Sequence, residues 1–348
     1  MNFGRLFFSG LIVTAFLFSG ISLISADYKT YYTSAWKNMR SHKYADAAKD
    51  FRKSLDYAQL STEEVNAVFG LAYAYRSQKK YRDAIKWVER IFEIPDLKYH
   101  FLRKAYRDLI NDEIKLKKYD DALDTCKRAI KSSKSNSDTA YYYYQAADIF
   151  LTQKQYANAI EALNRCIDEE KNNKKGGLTV AAKIKKVTIY YKAKQYSSAA
   201  KVFSLEELKK IREGSRRSVC FYSGMSAYKI KDYPLALSLF NEMPNGKDWW
   251  LYIKYDWQGK CYSSMKKYPD AIRVYNTIMN EKSFRGSYRA NGALSIASVY
   301  FYHTKDYKNA QKYYQMVSKI SGSTSSQRKS AVTNIKRIDA ILKKTKKK

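Results

Sequence analysis

Small and apolar residues recur along this chain at helical spacing, and the pattern itself repeats. A tyrosine followed three residues later by an alanine stands at Tyr44/Ala47, Tyr81/Ala84, Tyr119/Ala122, Tyr156/Ala159, Tyr196/Ala199, Tyr233/Ala236, Tyr268/Ala271 and Tyr307/Ala310. Four residues after each alanine come Phe51, Val88, Cys126, Leu163, Phe203, Phe240, Tyr275 and Tyr314. Seven after it come Ser54, Ile91, Ala129, Cys166, Met243, Ile278 and Val317, with Glu206 the exception. Steps of four and then three lie on one helix face. Twelve before the alanine stand Ala35, Ala72, Ile110, Ala147, Val187, Gly224, Gly259 and Ser298, mostly small, as a close helix–helix approach requires. Each unit therefore reads as two helices joined by a tight turn such as Gln78-Lys79-Lys80. Successive tyrosines are 35 to 40 residues apart, the period of a stacked-repeat solenoid with one continuous core.

At these positions the sequence resembles the tetratricopeptide repeat family, whose units carry small, aromatic, alanine and aromatic residues in this order. Gly224, Ala236 and Phe240 match in one copy; Gly259, Tyr262, Ala271 and Tyr275 match in another. The resemblance spans about residues 28 to 322. It implies an all-α, right-handed solenoid of about eight helix pairs, here with a period longer than the family's own. The third unit has Ile110 where a small residue is expected, and the fifth opens with Lys183, Lys185 and Lys186.

The ends follow different rules. Residues 1–26 hold Arg5 and then an uncharged, Phe-, Leu- and Ile-rich run closing on Ser25-Ala26. That layout is a secretory signal peptide cleaved after Ala26, or an uncleaved N-terminal anchor, and either places the solenoid (residues 27–322) outside the cytoplasm, in the periplasm or secreted. Gly322-Ser323-Thr324 reads as a turn before a helix over 323–342, whose Ala331, Ile335, Ile338 and Leu342 share a face that would cap the last repeat. A basic tail, Lys343, Lys344, Lys346, Lys347 and Lys348, follows. An Asn-, Lys- and Gly-rich loop over 170–177 separates the fourth and fifth units. Pro244-Asn245-Gly246 breaks the chain before Trp249 and Trp250.

With 65 Lys and Arg against 33 Asp and Glu, the chain carries +32 at pH 7. Such a charge attracts acidic protein segments, anionic envelope polymers or anionic lipid; the export signal argues against nucleic acid. No residue set for catalysis is visible, and no cofactor or metal is expected. His42, His100 and His303 fall in distant units, where a solenoid keeps them apart. Cys126, Cys166, Cys220 and Cys261 have no metal-type spacing and occupy positions filled elsewhere by packing residues.

In the family the first helix of each pair lines a concave groove that holds extended peptides or helices. The resemblance therefore implies a partner-binding groove of Tyr32, Trp36, Arg40, Phe69, Tyr73, Arg76, Lys104, Arg107 and Asn111. Further along it continues through Tyr141, Tyr144, Tyr191, Phe221, Tyr228 and Tyr302. Its aromatic rings suit apolar side chains, and its arginines suit a carboxylate held in a guanidinium fork. The function expected is a non-enzymatic interaction scaffold outside the cytoplasm. The alternative is an envelope protein that binds polyanions or glycans through its charge.

Overall fold

All eight motif alanines are wholly buried, at 0% exposure, and the residues four positions on are buried with them. A computed structural model describes residues 27–171 and 177–345; the N-terminal segment 1–26, the loop residues 172–176 and the tail residues Lys346, Lys347 and Lys348 lie outside the described residues. Among the described residues the chain is all helical. It divides into two units, the first ending at Thr179 and the second beginning at Val180.

In the first unit, α1 (residues 27–40) pairs with α2 (Tyr44–Asp56) and α3 (Ser61–Ser77) pairs with α4 (Tyr81–Glu89). Two further pairs follow, α5 (Tyr99–Lys115) with α6 (Tyr119–Ser132) and α7 (Asn136–Thr152) with α8 (Tyr156–Glu170). Each second helix also packs on the first helix of the next pair, and the buried clusters of the first two pairs meet at Tyr75 and Trp87. Asp46, Asp83 and Asp120 sit in the first turns of α2, α4 and α6, where a carboxylate offsets the helix dipole.

The second unit begins inside α9 (Gly177–Lys192). Its other pairs are α12 (Glu213–Lys229) with α13 (Tyr233–Asn241), α14 (Asp248–Ser264) with α15 (Tyr268–Asn280), and α16 (Gly286–Ser298) with α17 (Tyr307–Lys319). The partner of α9 departs from the simple pair. It stops after α10 (Tyr196–Ala200), and a second short helix, α11 (Leu205–Lys209), starts just beyond. The cause is local: Ser204 accepts the Glu207 amide while Glu207 caps the Ser204 amide, so a capping box begins a new helix where the old one would continue. Gly224 and Gly259 explain the small-residue position. A Cβ at Gly224 would lie 2.7 Å from the Phe240 ring, and one at Gly259 would lie 2.4 Å from the Tyr275 ring. The missing Cβ is the slot in which the motif aromatic rests.

The last helix, α18 (Ser325–Thr345), buries Ala331 and Ile338 against the eighth pair, with Ile335 and Leu342 packed at the margin. It runs past the boundary expected at residue 342, so Lys343 and Lys344 belong to its last turn rather than to a tail. Cations there favour the helix C-terminus.

The turns within the pairs have a feature the sequence conceals. In all eight, the residue two before the motif tyrosine has φ between 57° and 65°. It is His42 in the first turn and lysine in the others: Lys79, Lys117, Lys154, Lys194, Lys231, Lys266 and Lys305. Most of these turns close as Schellman motifs; Lys80 N–H, for example, donates to the Tyr75 carbonyl at 2.9 Å. Glycine is the residue of least strain at such a site, and a side chain there costs on the order of 1 kcal/mol.

Candidate functional site

Three consecutive first helices, α1, α3 and α5, turn side chains into one cleft of about 300 Å³. Six of the groove residues expected from sequence line it: Tyr32 and Trp36 from α1, Phe69, Tyr73 and Arg76 from α3, and Lys104 from α5. Asn66, Gly70 and Asp108 complete the lining. The residues come together because helix positions one repeat apart stack on one another, so a face repeated in sequence becomes a surface.

The aromatic wall is layered. The Trp36 ring meets Phe51 edge-on at 5.4 Å and lies 6.1 Å from Tyr73, a ring left 49% exposed. Such a ring, half free and backed by packed neighbours, is a ready contact for an apolar group. Lys104 reaches across, its ammonium 3.3 Å from the centre of the Phe69 ring. Lost hydration lowers its pKa, against the opposing pull of Asp108.

Arg76 corrects the sequence reading. Its fork is not open to a ligand carboxylate, because the next repeat already fills it. Nε donates to both oxygens of Asp112, at 3.0 and 2.7 Å, and Nη1 donates to Asp108 at 3.0 Å. Only Nη2 is left without an acceptor. Asp112 is 2% exposed, and its burial raises the carboxyl to about 6 even with the guanidinium beside it. Two aspartates against Arg76 and Lys104 make the cluster close to neutral. The cleft is thus an aromatic surface with one accessible cation, Lys104, instead of a basic fork.

The remaining groove positions distribute differently. Arg107 lies over the Tyr141 ring at 5.0 Å on the neighbouring first helix, while Arg40 and Asn111 are exposed and Tyr144 is half-buried. In the second unit Tyr191 packs on Tyr222 and Phe221 on Trp250. Tyr228 shares a 2.9 Å hydrogen bond with Ser264, and Tyr302 is 50% exposed. Asp108 and Asp112 escaped the sequence reading. The signal was present: they follow Arg76 by 32 and 36 residues, about one repeat, the offset at which first helices face each other.

The cysteines are core residues. All four cysteines are buried, and no disulfide forms among the described residues. Loss of hydration pushes the thiols of Cys126, Cys220 and Cys261 up to about 12, which makes them poor nucleophiles. No cluster of metal-ligating side chains occurs among the described residues.

Beside Asp112 on α5, Glu113 is a second buried acid. It accepts one bond, from Thr125 Oγ1 at 3.2 Å, while its other oxygen has no partner. Burial raises it to about 7 from an ordinary 4.5. The folded state therefore holds a proton that the unfolded chain releases above about pH 4.5. Its stabilising contribution is complete below that pH and is lost as pH rises through 7. Glu113 alone should lower stability across this window by roughly 3 kcal/mol, read from urea midpoints, and Glu113→Gln should remove that share while leaving the fall that Asp112 contributes. A profile in the variant identical to the parent's would show that Glu113 releases no proton on unfolding in this range.

A tetratricopeptide repeat family model matches residues 32–96 and 107–173. Similar solved structures include the Naa15/Naa10 complex bound to HypK-THB, with a TM-score of 0.50 and 11% identity over 87% of this chain and 43% of that one. The C-terminal part of a TPR repeat-containing protein from Cytophaga hutchinsonii has a TM-score of 0.43 and 16% identity over 86% and 98%. The apo form of RapI has 0.43 and 14% over 84% and 97%. At such identities the likeness concerns the fold alone. No curated protein sequence matches the chain.

Proposed function

Since the chain is a tetratricopeptide repeat protein, built on a fold that serves as a protein–protein interaction scaffold, we propose that it binds a protein partner along its first helices, centred on the cleft of Trp36, Tyr73 and Lys104. The observation that carries this reading is the pair of half-open rings beside an accessible ammonium on the helix face that the family uses for ligands. Such a surface takes an extended or helical segment with an apolar anchor and an acidic neighbour: the anchor seats against Trp36 and Tyr73, and the acid meets Lys104. Arg76 serves this site from behind, fixing α3 against α5. The role is non-enzymatic. The N-terminal segment supports an extracytoplasmic setting, and the excess of lysine supports a second, charge-based attachment considered below.

The test is capture from envelope extracts with a Tyr73→Ser/Lys104→Glu double variant. Both side chains are exposed, so the fold should survive, which circular dichroism would verify. Partner affinity should fall at least about tenfold, the loss of roughly 1.4 kcal/mol of contact. Capture of the same partner at parental affinity would place its site elsewhere.

A further inference from the structure

The turn lysines are an unexplained element of the fold. The chain has 13 glycines, yet none stands at the eight left-handed turn positions where glycine would relieve strain. The positive charge gains little locally. The turn follows a helix C-terminus, which favours a cation, but two residues later the next helix begins, and its N-terminus disfavours one. All the turn lysines are exposed, and among the described residues none of them forms a salt bridge or lies over a ring. Their ammonium groups are therefore free, and their position is fixed by the backbone rather than by a flexible tail.

Stacking converts this into a surface. Within the first unit, successive pairs pack in the same order, α4 on α5 and α6 on α7, so their turns fall along one edge. That edge carries Lys79, Lys117 and Lys154 at the strained positions, with Lys80 beside the first; Lys118, beside the second, is paired with Asp121 at 2.7 Å. We propose that this edge binds an anionic polymer whose charges follow one another in single file, of the phosphodiester class. A compact anion would meet one turn only, whereas a chain laid along the edge meets every turn and releases a counterion at each. The site is separate from the cleft and does not depend on the peptide reading.

The structure supplies a clean variant, because glycine removes the charge and the strain together. The full chain carrying Lys79→Gly, Lys117→Gly and Lys154→Gly should melt no lower than the parent. It should bind poly(glycerol phosphate) at least about tenfold more weakly at low salt, and its plot of log Kd against log salt should be shallower by about 2, from three lost contacts at roughly 0.7 each. A matched variant with Lys29→Gln, Lys37→Gln and Lys131→Gln, exposed lysines away from the turns, should keep most of the affinity. Parental affinity in the turn variant, or equal losses in both variants, would overturn the proposal. So would binding to phosphatidylglycerol vesicles with none to the free polymer, since that would make a lipid surface the ligand.

Discussion

Replacing Arg76 with leucine should destabilise the first unit by about 3 kcal/mol, because it leaves a buried carboxylate without its partner. Asp112 is 3% exposed in its side chain and takes both of its contacts from Arg76 Nε. The loss should depend on pH in a definite direction. Asp112 stands at about 6 in the folded protein, above its ordinary 3.8, so its stabilising contribution is full below about pH 4 and is lost as pH rises through 6. Without the guanidinium its carboxyl moves higher still. The variant should therefore be hurt most at pH 8 and least at pH 5, where the acid can take up a proton. Lysine should rescue only part of the loss, since an ammonium cannot repeat the guanidinium's fixed fork. Equal destabilisation at pH 5 and pH 8, followed by urea denaturation, would show that packing rather than charge holds α3 to α5.

At the other end of the chain, Gly286→Ala should cost the second unit about 3 kcal/mol through overpacking. A Cβ at Gly286 would sit 1.8 Å from the Ser321 carbonyl oxygen and 2.7 Å from the Gly322 Cα. Both obstacles are backbone, so no side chain can turn aside. The segment before α18 would have to lift, and Gly322, with φ of 83°, has no relaxed alternative for a larger residue. Amide exchange in α18 should accelerate, since the cap would lose its seat on the last repeat. Gly214→Ala, where an added Cβ meets nothing within 4 Å, is the matched control and should be neutral or mildly stabilising. If both variants melted alike, the crossing at Gly286 would be looser than the structure has it.

The repeat was legible because its physics is local. An alanine at 0% exposure in every copy and a buried residue four positions on follow from one helix face meeting one partner, and each copy shows that face afresh. The cap was legible for the same reason: Ala331 and Ile338 share a stripe. The broken fifth pair was half visible in Glu206, which spoils the apolar spacing. The break itself needed Ser204 and Glu207 to be read as a capping box.

Arg76 was misread for a different reason. Its residue type says that a carboxylate should be near, but not whether that carboxylate belongs to a ligand or to the chain. Asp108 and Asp112 settle the matter one repeat further on, at a distance that only stacking makes short. The strained turns were invisible, because a lysine in a left-handed turn has the same letter as any surface lysine.

A photo-crosslinking amino acid placed at Tyr73, in the cleft, and separately at Lys127, exposed on α6, locates the partner on the solenoid. If the first helices carry the partner, the probe at 73 should crosslink one protein in envelope extracts, and an excess of its isolated binding segment should abolish the product. The probe at 127 should give none. A crosslink from 127 with silence at 73 would move recognition from the first helices to the second.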